Sequence, residues 1–284
     1  KGRSEARLDT GREIRVSPAE GALVAAVAAS RAGDRLLLSA GSYPIDQVLT
    51  VSHPLTIEGA ASATTTLTFT RPTLFEIAPG GSLRLSRLAI SGADAPDSAG
   101  NAVVRTRTGS GAANYELIIE DCHISGLTVN RAFSVLNAAK STLAGRVLLQ
   151  RVSVEQVSGN VIDATAETDD LGWYNIERLE IRDSTFRDIA GSVASLYRGG
   201  GDESTFGPRL WLTGSMFERV GTGPGQAALY LHGVQYAELR DNRIMQSAGL
   251  RFEPTAGEPV LILADNHFID SPAWDDRAPG PGSR

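Results

Sequence analysis

The sequence predicts an all-β chain wound as a parallel β-helix, and three observations carry that prediction. A short phrase recurs about seven times, its apolar residues alternate with polar ones, and its repeats close on small or turn-forming residues. The phrase is an apolar run, a polar pair, a large apolar residue and a turn. It reads Leu83 to Ile90, Leu117 to Ile124, Val147 to Val154, Leu179 to Phe186, Leu210 to Phe217, Ala237 to Ile244 and Leu261 to Phe268. Successive closing residues lie 24 to 34 positions apart, the period of a solenoid whose coils cannot bury their inward faces alone. Leu179, Ile181 and then Phe186 past a polar pair is period-2 strand writing interrupted by a corner. Pairs such as Ser91-Gly92, Ser158-Gly159 and Val220-Gly221 supply the bends that follow.

Taken in order, residues 1–16 are rich in Arg, Glu and Gly and read as a linker or lead-in. Ser17-Pro18-Ala19-Glu20 has the form of a capping box with proline at the first helical position, so a capping helix is expected to run to about Ser30. Next come a Gly33-Asp34 turn, an apolar strand, Gly41-Ser42-Tyr43, and strands over Val48 to Val51 and Leu55 to Gly59. That order resembles the start of pectate-lyase-like right-handed β-helices. Residues 17–270 are expected to form one domain, because solenoids grow by adding coils. The Pro- and Gly-rich tail, 271–284, is expected to be partly disordered, with Trp274 covering the last coil. Cys122 replaces the Ser or Asn of other coils, a small corner residue more than a reactive thiol.

The net charge is −6 with both signs mixed along the chain, which argues against capture of nucleic acid. No apolar stretch approaches the ~20 residues of a membrane span. A chain that opens on Lys1 without methionine or signal peptide is expected to be a mature or excised piece of something longer.

The candidate site lies in two coils. Ala164 to Asn175 places Glu167, Asp169 and Asp170 beside Trp173 and Tyr174; one repeat later Leu196 to Pro208 places Tyr197, Arg198, Asp202 and Glu203 around three glycines, with Arg209 following. Coils stack at about 4.8 Å, so loops one repeat apart are expected to share a face. An ion-paired network holding a tight loop is the plainer reading. The functional one is an arginine and acids facing a carboxylated sugar.

Tyr197-Arg-Gly-Gly-Gly-Asp-Glu-Ser-Thr-Phe-Gly-Pro208, with Asp163 to Asn175 and Gly92 to Asn101, resembles the carboxy-terminal region of two-domain alginate lyases of polysaccharide lyase family 6, the family that includes chondroitinase B. The resemblance spans residues 12 to 270. It implies a right-handed β-helix that follows an amino-terminal catalytic β-helix, a uronate polysaccharide as substrate, homodimer formation, and a secreted or periplasmic location. Lyases of this type remove the proton α to a uronate carboxylate and expel the linked oxygen, which takes a carboxylate neutraliser, a base and an acid. In the family these are a calcium ion, a lysine and an arginine of the amino-terminal helix, so no cofactor is expected in this chain.

The only lysines here are Lys1 and Lys140, and neither lies in the family's catalytic motif. Lys140 reads as a solvated loop lysine more than a base. His53, His123, His232 and His267 fall in separate coils and suggest no metal site. The leading expectation is a supporting β-helix, inactive alone, of an alginate lyase. The alternatives are a stand-alone acidic-glycan-binding β-helix that uses Tyr197, Arg198, Arg209 and Trp173, and a self-sufficient lyase with Lys140 or Tyr197 as base and Arg198 as acid.

Overall fold

A computed structural model describes residues 8–108, 114–169, 171–201 and 206–275. Among them are one helix and 27 strands in three parallel sheets of ten, eight and nine strands. Each coil runs through the ten-stranded first sheet, turns a corner into the nine-stranded second sheet, bends into the eight-stranded third sheet and returns by a loop. The coil over Tyr115–Glu120, His123–Ser125 and Ser134–Asn137 shows the plan. This is the parallel β-helix that the repeats predict, with the right-handed sense that the resemblance implies.

Alternation decides what each strand buries. Leu117, Ile119, Val147, Leu149, Leu179, Ile181, Leu210 and Leu212 point inward and are fully buried, in unbroken register from coil to coil. The polar pair is the first corner. Its left-handed residue recurs in all seven repeats, with φ between 48° and 59° at Arg87, Asp121, Arg151, Asp183, Gly214, Asp241 and Asp265, the conformation that short polar residues and glycine tolerate best. The next residue points inward and ties one coil to the next. Val152 N donates to Ser184 Oγ, Ser184 N to Ser215 Oγ, Ser215 N to Asn242 Oδ1 and Asn242 N to Asn266 Oδ1. Cys122 occupies the same column; burial pushes its thiol up to about 12, as befits the small corner residue expected there.

Three expectations need correction. The helix spans Ala22–Ala29, and its N-cap is Gly21 at φ 69° with no side-chain cap. The Ser17 to Glu20 stretch is an approach turn instead, because Pro18 is packed against the α-carbon of Gly41, where a Cβ would stand 2.4 Å from the proline ring. The lead-in also contains a strand, Glu13–Val16, which pairs with Arg35–Leu38 and buries Val16. At the far end, Trp274 forms a bridge with Leu250 and packs on the core, and buried Asp275 holds Arg251, so folded structure passes the expected boundary at residue 270. Residues 276–284 of the expected tail lie outside the described residues.

Asp34 pins the first coil. Its buried carboxylate accepts from the Arg12 guanidinium at 2.6 Å, from Arg12 N at 2.9 Å and from Arg31 N at 2.8 Å. The Arg12 hydrogen bond, helped by these amides against the opposing effect of burial, holds the carboxyl well below the ordinary range. A depressed folded-state pKa stabilises above the unfolded value, about 3.9, and that contribution is lost as pH falls through the folded value. The wild-type urea midpoint should therefore drop below about pH 4 more steeply than that of an Asp34→Asn variant. Parallel midpoint-against-pH curves would refute this role.

Candidate functional site

The loops from the two singled-out coils do meet. Gly199 lies so close to the 163–175 loop that a Cβ on it would stand 1.8 Å from the Asp169 carbonyl oxygen, and Gly207 is pressed against the Tyr174 ring. Most of the polar residues between these contacts are spent on holding the loops. Buried Glu167 accepts from Ser141 N, while Asn175 Nδ2 donates to the carbonyls of Ala139 and Thr142 at 3.0 and 2.9 Å. Asp169 pairs with Lys140 at 3.1 Å. Tyr174 donates to Glu177 at 2.6 Å, and burial together with that carboxylate pushes its phenol up to about 12.

Arg198 does not face solvent. Its side chain is fully buried and its backbone N donates to His232 O at 2.9 Å, so from this position it supports the loop and does not reach a sugar. Arg209 is half-buried, with Nε donating to Phe206 O at 3.3 Å. Trp173 stands 59 % exposed beside Leu171 at 62 %, accessible to a ligand. Asp170, Asp202 and Glu203 lie outside the described residues.

Tyr197 has partners that no local sequence signal marks. Its ring stacks on His232 at 4.1 Å with 2° between planes. His232 Nδ1 lies 2.8 Å from Glu253 Oε2, to which Tyr230 also donates at 3.2 Å. Burial and Glu253 push the Tyr230 phenol up to about 12. A histidine fixed by a carboxylate through one ring nitrogen has the other for proton transfer. The signal was positional: Tyr197, His232 and Glu253 are register partners in consecutive coils. Among the described residues no hydrogen bond joins this cluster to Lys140, and no three His, Cys, Asp or Glu side chains gather as a metal site. His123, by contrast, is a part-exposed strand-corner residue, 3.3 Å from Glu155.

Two further features lie outside these coils' loops. A groove of about 610 Å³ runs past the bends between the second and third sheets, lined by Asn130, Arg131, Asn160, Asp163 and small residues. On the outer face of the first sheet, Glu180 is buried among Arg146, Arg178 and Arg182.

No family model and no curated protein matches the sequence. Among solved structures, the PL6 family alginate lyase AlyGC superposes with a TM-score of 0.92 at 34% identity, covering 99% of this chain and 39% of that one. An arginine-to-alanine variant of AlyGC gives 0.91 at 33%, covering 99% and 40%. This chain thus spans about two fifths of the length of the lyase it matches. The resemblance carried by Tyr197 to Pro208 therefore extends over the whole fold, and the chain is a parallel β-helix of the kind found in polysaccharide lyase family 6 alginate lyases.

Proposed function

We propose that this chain is a supporting, non-catalytic β-helix of an alginate lyase, carried after an amino-terminal catalytic β-helix in a secreted or periplasmic protein that cleaves uronate polysaccharide by β-elimination. The observation that carries the reading is the pairing of 99% coverage of this chain with 39% coverage of the lyase. The candidate residues agree with it: Lys140 is held by Asp169, Arg198 is buried, and the glycine loop is a close-packed contact between coils. The domain would brace the catalytic helix, complete one wall of its groove or contribute to a homodimer.

A second reading, a self-sufficient lyase, is favoured by one observation, the Tyr197, His232 and Glu253 cluster. One experiment separates them. The chain alone is incubated with polymannuronate, polyguluronate and dermatan sulfate, and ultraviolet absorbance is followed at the short wavelength where the conjugated, unsaturated uronate product absorbs. The supporting-domain reading expects no product from the chain and product once an amino-terminal catalytic domain is joined to it. Product from the chain alone that disappears in a His232→Ala variant would overturn that reading in favour of the second.

A further inference from the structure

The outer face of the first sheet carries arginines in a line. Arg178 and Arg209 are register partners, Arg209 pairs onward with Tyr236, and Arg146 lies one residue before the Val147 and Leu179 pair, which puts it beside Arg178. Three consecutive coils therefore present guanidinium groups in one column, with Glu180 in the next column and Arg182 in the one beyond it. Like charges directly opposite on neighbouring strands are destabilising, so such a column calls for a counter-charge.

The protein supplies only part of it. Glu180, whose side chain is fully buried, accepts from Arg146 Nε at 2.8 Å and Arg178 Nε at 2.7 Å through one oxygen, and from Arg182 through the other. Burial works to raise this carboxyl, and the arginines outweigh it. One carboxylate thus faces three guanidinium groups, which remain 35%, 48% and 42% exposed. Glu116 precedes Arg146 in the same column, and Arg209 has no carboxylate within ion-pair distance among the described residues. Four arginines against these two carboxylates leave a local excess of positive charge on a chain whose net charge is −6, because Glu120 and Glu238 nearby are paired with Arg84 and Arg240. These cations are also held still. Glu180 fixes two of them through Nε, and Arg178 lies 4.5 Å from the centre of the Trp211 ring, so little rotamer freedom is left to lose on binding.

We propose that this column is a binding track for an extended polyanionic sugar chain, a uronate polysaccharide running along the helix axis with a carboxylate at successive arginines. The rise of one coil, about 4.8 Å, is comparable with one pyranose unit of an extended chain, so guanidinium and carboxylate repeats stay in step. Each arginine offers the paired N–H groups that suit a carboxylate. Nucleic acid fits less well, because the track is one residue wide and Glu238 and Glu120 stand on the same face, one and two columns to one side of it. The proposal rests on the uronate reading above, but not on whether this chain is catalytic.

The test is direct binding of the full chain to short polymannuronate and polyguluronate, by calorimetry at two salt concentrations. Binding that weakens with salt is expected, with a loss of affinity of about tenfold or more in an Arg178→Gln/Arg209→Gln variant and none in Arg243→Gln, on the second sheet. Arg209→Gln alone removes a cation that has no paired carboxylate among the described residues, so it should fold normally and still weaken binding, which keeps the test meaningful if the double variant is unstable. Unchanged affinity in a folded Arg209→Gln protein, no binding by the wild type, or equal binding of an oligonucleotide would each overturn the track. A chain that binds nothing and makes no product would sink this inference and leave the supporting-domain reading intact; product from the chain alone would do the reverse.

Discussion

Replacing Phe186 with alanine is expected to be the most damaging single side-chain truncation near the candidate site, costing about 3–5 kcal/mol of folding stability. Phe186 is fully buried and meets Phe217 of the next coil edge to face, with ring centres 5.4 Å apart at 82°. An arrangement of that kind adds about 0.5–1.5 kcal/mol to what area alone provides. Its register partners are Val154 on one side and Phe217 on the other, so the cavity opens in the middle of the stack. Because each coil rests only on its neighbours, the urea transition should broaden or split as the two halves lose contact. Phe268→Ala, at a half-buried position in the last coil, should cost clearly less. Equal losses at both positions would mean that the stack does not transmit the damage.

Gly199→Ala is the second large effect, and it acts through the backbone. A methyl group at this position would stand 1.8 Å from the Asp169 carbonyl oxygen, an atom that no rotamer change can move aside. The loops of two coils would have to part, at a cost at or above the about 1–3 kcal/mol typical of overpacking. Hydrogen exchange should quicken in residues 165–169 and 196–201. Gly201→Ala is the matched control: among the described residues nothing lies within 4 Å of a Cβ there, so its effect should stay within about 0.5 kcal/mol. Similar losses in the two variants would refute a contact-based account of the glycine run.

The first sheet and its corners could be read from the chain because the apolar alternation and the polar pair are both local signals. Leu179, Ile181 and Phe186 lie within eight residues of one another, and their spacing alone fixes which way each points. The third sheet was harder. Strands such as Ile162–Ala164 and Leu229–His232 are short and start at variable distances from the preceding corner. The capping box misled for a related reason: Ser17 to Glu20 has the right residue types, but a tertiary contact between Pro18 and Gly41 decides where the helix begins.

The same geometry explains what was missed at the site. The four histidines fall in separate coils and so suggest no metal site, yet in a stacked solenoid residues one coil apart at the same register are neighbours. That is how Tyr197, His232 and Glu253 come to touch. Arg198 stands out in the sequence by its charge and its glycine neighbours, and nothing local reveals that its side chain turns inward. The Arg146, Arg178 and Arg209 column likewise appears only once the register is known.

The left-handed corners have a consequence for how such a chain can change length. A second left-handed residue follows the first after five positions in coil after coil: Arg151 and Gln156, Asp183 and Asp188, Gly214 and Arg219, Asp241 and Gln246, Asp265 and Asp270. From each second residue to the next first one, the count falls from 27 to 26, 22 and 19. One side of the spiral keeps a fixed gauge while the other tapers. Insertions and deletions are thereby confined to a single flank, the one that bears the Trp173 and Phe206 loops, and new recognition segments can be grafted there without altering the pitch that keeps every coil in step.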